Sequence, residues 1–142
     1  MKPVPELRAA SRQMGRQTLR VVEALGADPV IDTLSRAVLA DEAAGHHAIV
    51  FGAALGRSGV DPEPAVASFL HATCAMLVGA GLRLLPLGQI AGQRVLVAMR
   101  PRIARLAGDA ARATVDDMWS FAPGLELAAL RHAALDARLF RS

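Results

Sequence analysis

The sequence predicts an all-α fold in which residues 1–142 form one domain, with six to seven helices around a long, buried central helix. Apolar residues recur every three or four positions along most of the chain, whereas no alternation of period two continues beyond a few residues. In addition, the pairs Asp28-Pro29 and Asp61-Pro62 are typical of helix starts, because Asp caps the first amides and Pro suits the first turn.

The first two predicted helices are amphipathic. The first runs from Val4 to Leu25 and ends at Gly26. The apolar residues that should face its core, opposite a stripe of arginines, are Leu7, Ala10, Met14, Val21 and Leu25. The second begins at Asp28-Pro29. Its apolar side is formed by Ile31, Leu34 and Val38. A short third helix follows Gly45-His46-His47, at residues 48–55.

The longest predicted helix follows Asp61-Pro62 and runs to about Leu85. Because it is apolar on all sides, we expect it to be buried in the protein. A membrane span is disfavoured, since such a helix needs about 20 mostly apolar residues without titratable groups. Here Glu63 and Arg83 bracket a shorter stretch that also contains His71 and Cys74.

The C-terminal third is divided by prolines and glycines. Pro86 ends the long helix, and Gly88 begins the turn into the next one, which should run from about Gln89 to Ala107. Pro101 is expected to kink or divide that helix. After Gly108 a weaker segment leads through residues 121–124 to a last helix.

The composition indicates a protein with apolar surface to spare. Hydrophobic residues make up 53% and charged residues 20% of the chain, against roughly 45–50% and 25% in ordinary globular proteins. Such an excess usually indicates an oligomer, an interface with a partner or a missing piece of the same domain. The N-terminus lacks the apolar segment of a secretory signal, and a single cysteine permits no internal disulfide, so we expect a cytoplasmic protein.

Four arginines recur every fourth residue of the first helix, at Arg8, Arg12, Arg16 and Arg20. They form either a solvated face or a contact for phosphate or an acidic partner. A small basic helical domain that binds nucleic acid is therefore the alternative function. Four Phe, one Trp and no Tyr provide no stacking surface for single strands, so no nucleic-acid partner is predicted.

The chain shows no pattern typical of a catalytic or metal site, and we predict neither an enzyme nor a stably bound cofactor. Neighbouring helical side chains diverge by about 100°, so His46 and His47 cannot chelate one ion by themselves. His71 and Cys74 share a helical face, but two ligands do not complete a site. A thiol in apolar surroundings is inert rather than activated.

Two segments favour docking instead. Gln89 and Gln93 lie four residues apart after the helix break, where their amides either cap the preceding helix or line a polar passage. The last helix carries an apolar stripe (Leu125, Ala128, His132, Leu135 and Leu139) and ends in Leu139-Phe140 between arginines. An apolar terminus docks either on its own core or in the groove of a partner.

The chain resembles the UreF family of urease accessory proteins. The two longest similar segments are residues 83–94 and 121–142; shorter ones lie at residues 11–16, at His47 and Gly52, at residues 69–70 and at residues 77–78. Ala133 and Asp136 replace a Glu and a Tyr that are typical of the family tail. The resemblance implies a helical fold whose N-terminal helices are missing here.

The resemblance also implies a non-catalytic adaptor that assists nickel incorporation into urease. Its partners would be UreD (also called UreH), the GTPase UreG, apo-urease and a second copy of the chain, and nickel would pass through the assembled complex. The residues predicted to contact partners are Arg83, Gln89, Gln93, Arg94, Arg131, His132, Arg138, Leu139, Phe140, Arg141 and Ser142.

Overall fold

A computed structural model describes residues 4–118 and 122–133, which form six α-helices and one 3₁₀ helix. The α-helices are α1 (Pro5–Leu25), α2 (Pro29–Leu39), α3 (His47–Arg57), α4 (Pro62–Leu84), α5 (Gln89–Arg112) and α6 (Pro123–Ala133). The 3₁₀ helix spans Val115–Asp117. The predicted all-α class is confirmed. The chain divides into two compact units, one with α1, α2, α3 and α6 and the other with α4 and α5.

The first unit has a small apolar core between α1, α2 and α3. Its buried members are Leu19, Ile31, Val38 and Val50, with Val22, Leu34, Ala43 and Ala53 packed against them. Ile31, Leu34 and Val38 are the side of α2 that the sequence predicts to be apolar, and that prediction is confirmed. The heptad-like spacing of α2 therefore places one whole face of the helix against its neighbours.

The packed face of α1 differs from the predicted one. Its buried residues are Ser11, Gly15 and Leu19, whereas Met14, Val21 and Leu25 are exposed. The reason is a close approach of two backbones: a Cβ placed on Gly15 would lie 2.0 Å from the Gly45 carbonyl oxygen. Gly45 itself has a φ of 60°. Backbones can approach this closely only where side chains are absent, so the larger apolar side chains lie outside the contact.

Asp28 secures the start of α2. Its carboxylate accepts hydrogen bonds from the backbone amides of Val30 and Ile31, as predicted for an N-cap, and Arg57 at the end of α3 donates to it at 2.8 Å. The Arg57 bond foremost, together with the two amides, holds the pKa of Asp28 below its usual 3.8, against the opposing effect of desolvation. Asp61 also occupies an N-cap position, but its side chain makes no capping bond.

In the second unit α4 and α5 pack as an antiparallel pair. Near the turn, a Cβ on Gly92 of α5 would lie 3.0 Å from Val78 and 3.2 Å from Leu82 of α4, and at the other end Gly108 lies beside Glu63. Pro101 does not divide α5, which continues from Gln89 to Arg112 and includes Gly108, so the division predicted at Pro101 and the helix end predicted near Ala107 are wrong. Proline removes one helical hydrogen bond, and at the exposed residues Val97 and Pro101 water can replace it.

The prediction of a buried central helix is wrong. Ala65 is the only buried residue of α4, and Leu77 is 61% exposed. A helix that is apolar on all sides needs neighbours on all sides, and within its unit α4 has one extensive partner, α5. By length and composition alone α4 could cross a membrane. One such helix is weak evidence for a span, because core helices of soluble proteins share these properties.

We expect Asp28→Ala to lower the midpoint of thermal unfolding, because it removes the cap of α2 and its bond to Arg57. Since the pKa of Asp28 is lowered in the folded state, its contribution is present above pH 3.8 and is lost as the pH falls through the folded value. The variant should therefore lose part of the pH dependence of stability at acidic pH. Asp61→Ala is the matched control. Equal effects of the two substitutions would contradict this role.

Gly15→Ala should destabilise the protein by about 1–3 kcal/mol, because the added methyl group overlaps the backbone at Gly45. The control is Gly52→Ala in α3, where nothing lies within 4 Å of the new Cβ. That substitution should stabilise the helix by about 0.5–1 kcal/mol. Urea unfolding monitored by circular dichroism measures both changes. A Gly15→Ala variant as stable as the unchanged chain would refute the close contact.

Candidate functional site

The turn between α4 and α5 is short and held by backbone hydrogen bonds. The Leu85 amide donates to the Gly81 carbonyl at 2.9 Å, and the Leu87 amide donates to the Leu85 carbonyl at 2.7 Å. Gly88 precedes α5 as its N-cap residue, and its carbonyl accepts from Gly92. The helix break predicted at Pro86 is confirmed, and it places residues 83–94 at one end of the helix pair.

This end of the pair carries large apolar side chains that are exposed. We call residues 83–94 the α4–α5 turn surface; its exposed apolar members are Leu84, Leu85, Leu87 and Ile90. Ile90 is 72% exposed. The predicted contact residues Arg83, Gln89, Gln93 and Arg94 are exposed on the same segment. Apolar side chains among arginines and amides are typical of a protein interface.

The sequence predicts the polar residues of this surface as contacts but does not predict its leucines. The signal was present, since Leu84, Leu85 and Leu87 surround Pro86 at the helix break. Side chains on a tight turn extend beyond the ends of both helices, so neither helix of the pair can cover them. Apolar residues next to a break between two helices are therefore candidates for contact with another surface.

The two glutamines do not cap α4. Both are exposed, and within residues 4–118 and 122–133 neither side chain hydrogen-bonds to the last carbonyls of that helix. Of the two interpretations left open by the sequence, the capping one is thus not observed. Gln89 and Gln93 present amide donors and acceptors at the α4–α5 turn surface instead.

The last helix leaves its leucines exposed. Leu125, Leu127 and Leu130 are all exposed, and the less exposed positions of α6 are Glu126 and Ala129. Of the predicted apolar stripe, Leu125 and Ala128 are exposed, and its other members lie outside the residues whose side chains are described. Arg131 is exposed on α6. The side chain of His132 lies outside the described residues, as do Arg138, Leu139, Phe140, Arg141 and Ser142, and for them the contact prediction stays a prediction.

His46 and His47 lie at the start of α3 and contribute to its local contacts. The His46 carbonyl accepts from the amides of Ile49 and Val50, and the His47 ring meets Phe51 edge-on with centroids 5.7 Å apart. The Nδ1 atom of His47 lies 3.4 Å from the Thr18 hydroxyl. Over the part of the chain that the structure describes, no three His, Cys, Asp or Glu side chains are placed to hold a metal ion together.

Comparison with known proteins identifies the family of this chain. Residues 1–100 match the family model for UreF. The chain belongs to the UreF family. It is 39% identical to urease accessory protein UreF of Methylobacterium radiotolerans and 35% identical to that of Xanthobacter autotrophicus, with all of the chain covered in both. It is 31% identical to the UreF of Bacillus sp. strain TB-90 over 96% of the chain.

The UreF relatives are longer than this chain, which covers 61%, 57% and 60% of their respective lengths. No solved structure matches it at a significant level.

We predict that Ile90→Ala changes the free energy of unfolding by less than about 0.5 kcal/mol, because the side chain is exposed at the α4–α5 turn surface. The matched control is Ile103→Ala on the same helix, where the side chain is only 7% exposed; it should cost about 2–4 kcal/mol. Urea unfolding measures both. Similar losses for the two variants would show that Ile90 belongs to the protein's own core.

Proposed function

We propose that this UreF-family chain is an adaptor in urease maturation, which binds UreD (UreH) and the GTPase UreG and brings them to apo-urease. The observation that carries the proposal is the match of residues 1–100 to the UreF family model, together with three similar proteins that are each described as a urease accessory protein. The α4–α5 turn surface and the exposed leucines of α6 support it, because both supply apolar area that an assembly would cover.

The adaptor acts without chemistry of its own. Its contacts are apolar side chains, amides and arginines, and these groups bind proteins rather than transform small molecules. Nickel passes through the assembled complex and is not held stably by this chain. The protein works in the cytoplasm as a homodimer, and the exposed apolar residues of α4 and α5, such as Met76 and Val95, give a second copy a surface to cover.

Deletion of the C-terminal residues 138–142, here called the tail, provides a test of the adaptor role. Deleting Arg138–Ser142 should abolish co-purification with a UreD homologue at high salt while leaving the helical content nearly unchanged. The reason is that a terminus with apolar and arginine anchors supplies contacts that cost about 1–2 kcal/mol or more each when truncated at an interface. The measurement is a pull-down of the co-expressed partner beside circular dichroism of the shortened chain.

The control replaces exposed apolar residues of two other helices. Leu25→Ala with Leu39→Ala removes two leucines that are 82% and 80% exposed on α1 and α2, and this variant should bind the partner normally. Lost helicity on deletion would mean that the tail completes the protein's own core. Retained helicity together with retained binding would contradict the proposed contact.

A further inference from the structure

The outward face of α1 forms an open basic groove. Its lining residues are Ala9, Arg12, Gln13, Arg16, Gln17 and Arg20, and it encloses about 440 Å³. All six lie on one side of the helix, next to the face that packs against the core through Gly15 and Leu19. The packing that fixes α1 in its unit therefore also fixes the direction in which these arginines project. We call this surface the α1 basic groove.

The charges of the α1 basic groove are only partly neutralised. Asp41 forms an ion pair with Arg12 at one edge. Arg16 and Arg20 are exposed, and among the described residues no carboxylate lies within 4 Å of either guanidinium. Like charges four residues apart on a helix repel each other, so an anion placed between them would be bound and would stabilise the helix.

The spacing of the groove suits an extended acidic peptide. Four helical residues separate Arg16 and Arg20 by about 6 Å along the axis. Alternate residues of an extended chain lie about 6.6 Å apart, so two carboxylates at positions i and i+2 can each meet one guanidinium. Arginine binds carboxylates through two parallel hydrogen bonds. Gln13 and Gln17 add amide donors and acceptors for the peptide backbone.

Nucleic acid fits this groove less well. A duplex is usually held through about 6–10 phosphate contacts, and the described lining of the groove contains three arginines, one of them already paired with Asp41. Among the described residues no aromatic side chain lines the groove, so they give single-stranded bases no surface on which to stack. The net charge of the whole chain is +3, which gives little general attraction to polyanions.

We propose that the α1 basic groove binds an extended acidic peptide segment of a partner protein. The contact is separate from the α4–α5 turn surface and does not depend on the proposed role in urease maturation. It adds a salt-sensitive docking site to a protein that also exposes large apolar side chains. Such a contact would contribute orientation and a faster encounter with the partner more than tight binding.

The test uses the 142-residue chain and a fluorescein-labelled peptide of alternating Glu and Ala, followed by fluorescence anisotropy at low ionic strength. The unchanged chain should bind this peptide more tightly than a peptide of alternating Lys and Ala. Binding should weaken as salt is added, because exposed charge pairs are screened. Arg16→Glu with Arg20→Glu should weaken it about tenfold, since two attractive pairs become repulsive.

The matched control is Arg102→Glu with Arg105→Glu on α5, which makes the same change of charge at two exposed arginines and should alter binding less than about twofold. If circular dichroism shows that charge reversal unfolds α1, Arg16→Gln with Arg20→Gln replaces it, with an expected weakening of about threefold.

Equal losses for both pairs, no binding of the Glu peptide, or unchanged binding by the Gln variant would overturn the proposal. Tighter binding of random duplex DNA that the same Arg16 and Arg20 changes abolish would identify a nucleic-acid site instead.

Discussion

Contact through small residues governs how the helices of this protein meet. In one unit Gly15 of α1 lies against the backbone at Gly45, and in the other Gly92 of α5 lies against Val78 and Leu82 of α4. Where backbones approach this closely, the contact is made by hydrogen atoms and short side chains, and larger apolar residues are displaced to the flanks. Close packing at these glycines sets α1 against the α2–α3 loop and α5 against α4, and the apolar face of α2 completes the core of the first unit.

Both units bury few large apolar side chains and leave many exposed. Leu19, Ile31, Val38 and Val50 fill a core of modest size, while α4 buries only Ala65. Hydrophobic residues make up 53% of the chain, and two such small cores cannot bury all of its leucines, valines and methionines. Exposed apolar area of this kind is covered in proteins that work as parts of assemblies. The relatives of this chain are named urease accessory proteins, and exposed apolar area is consistent with that description.

The sequence was sufficient for local structure and insufficient for the choice of packed faces. Helix starts and stops followed from residues such as Asp28, Pro86 and Gly26, because capping and proline act within a few residues. The packed face of α1 did not follow, since hydrophobic periodicity favours Met14 and Val21 and gives no weight to a glycine. A contact between Gly15 and Gly45 depends on residues 30 positions apart.

The sequence likewise predicts the local position of the candidate-site residues but not the exposure of the helix beside them. The helix break at Pro86 placed Arg83, Gln89, Gln93 and Arg94 on one turn, as the sequence indicated. The burial of α4 was mispredicted because an apolar helix looks the same in sequence whether its neighbours belong to its own chain or to another. Hydrophobic periodicity indicates which side chains are apolar on each helix. The three-dimensional structure is needed to show which of them are buried within this chain.

Hydrogen–deuterium exchange by mass spectrometry, on the chain alone and in complex with a UreD homologue, tests most directly whether these exposed surfaces are contacts. Slower exchange in the complex is expected at residues 83–94 and from residue 122 to the C-terminus, where partner contact would exclude water and suppress local opening. Core amides of α2 around Ile31 and Val38 should exchange equally slowly in both samples. A complex that forms with no change of exchange at either surface would contradict the role assigned to them.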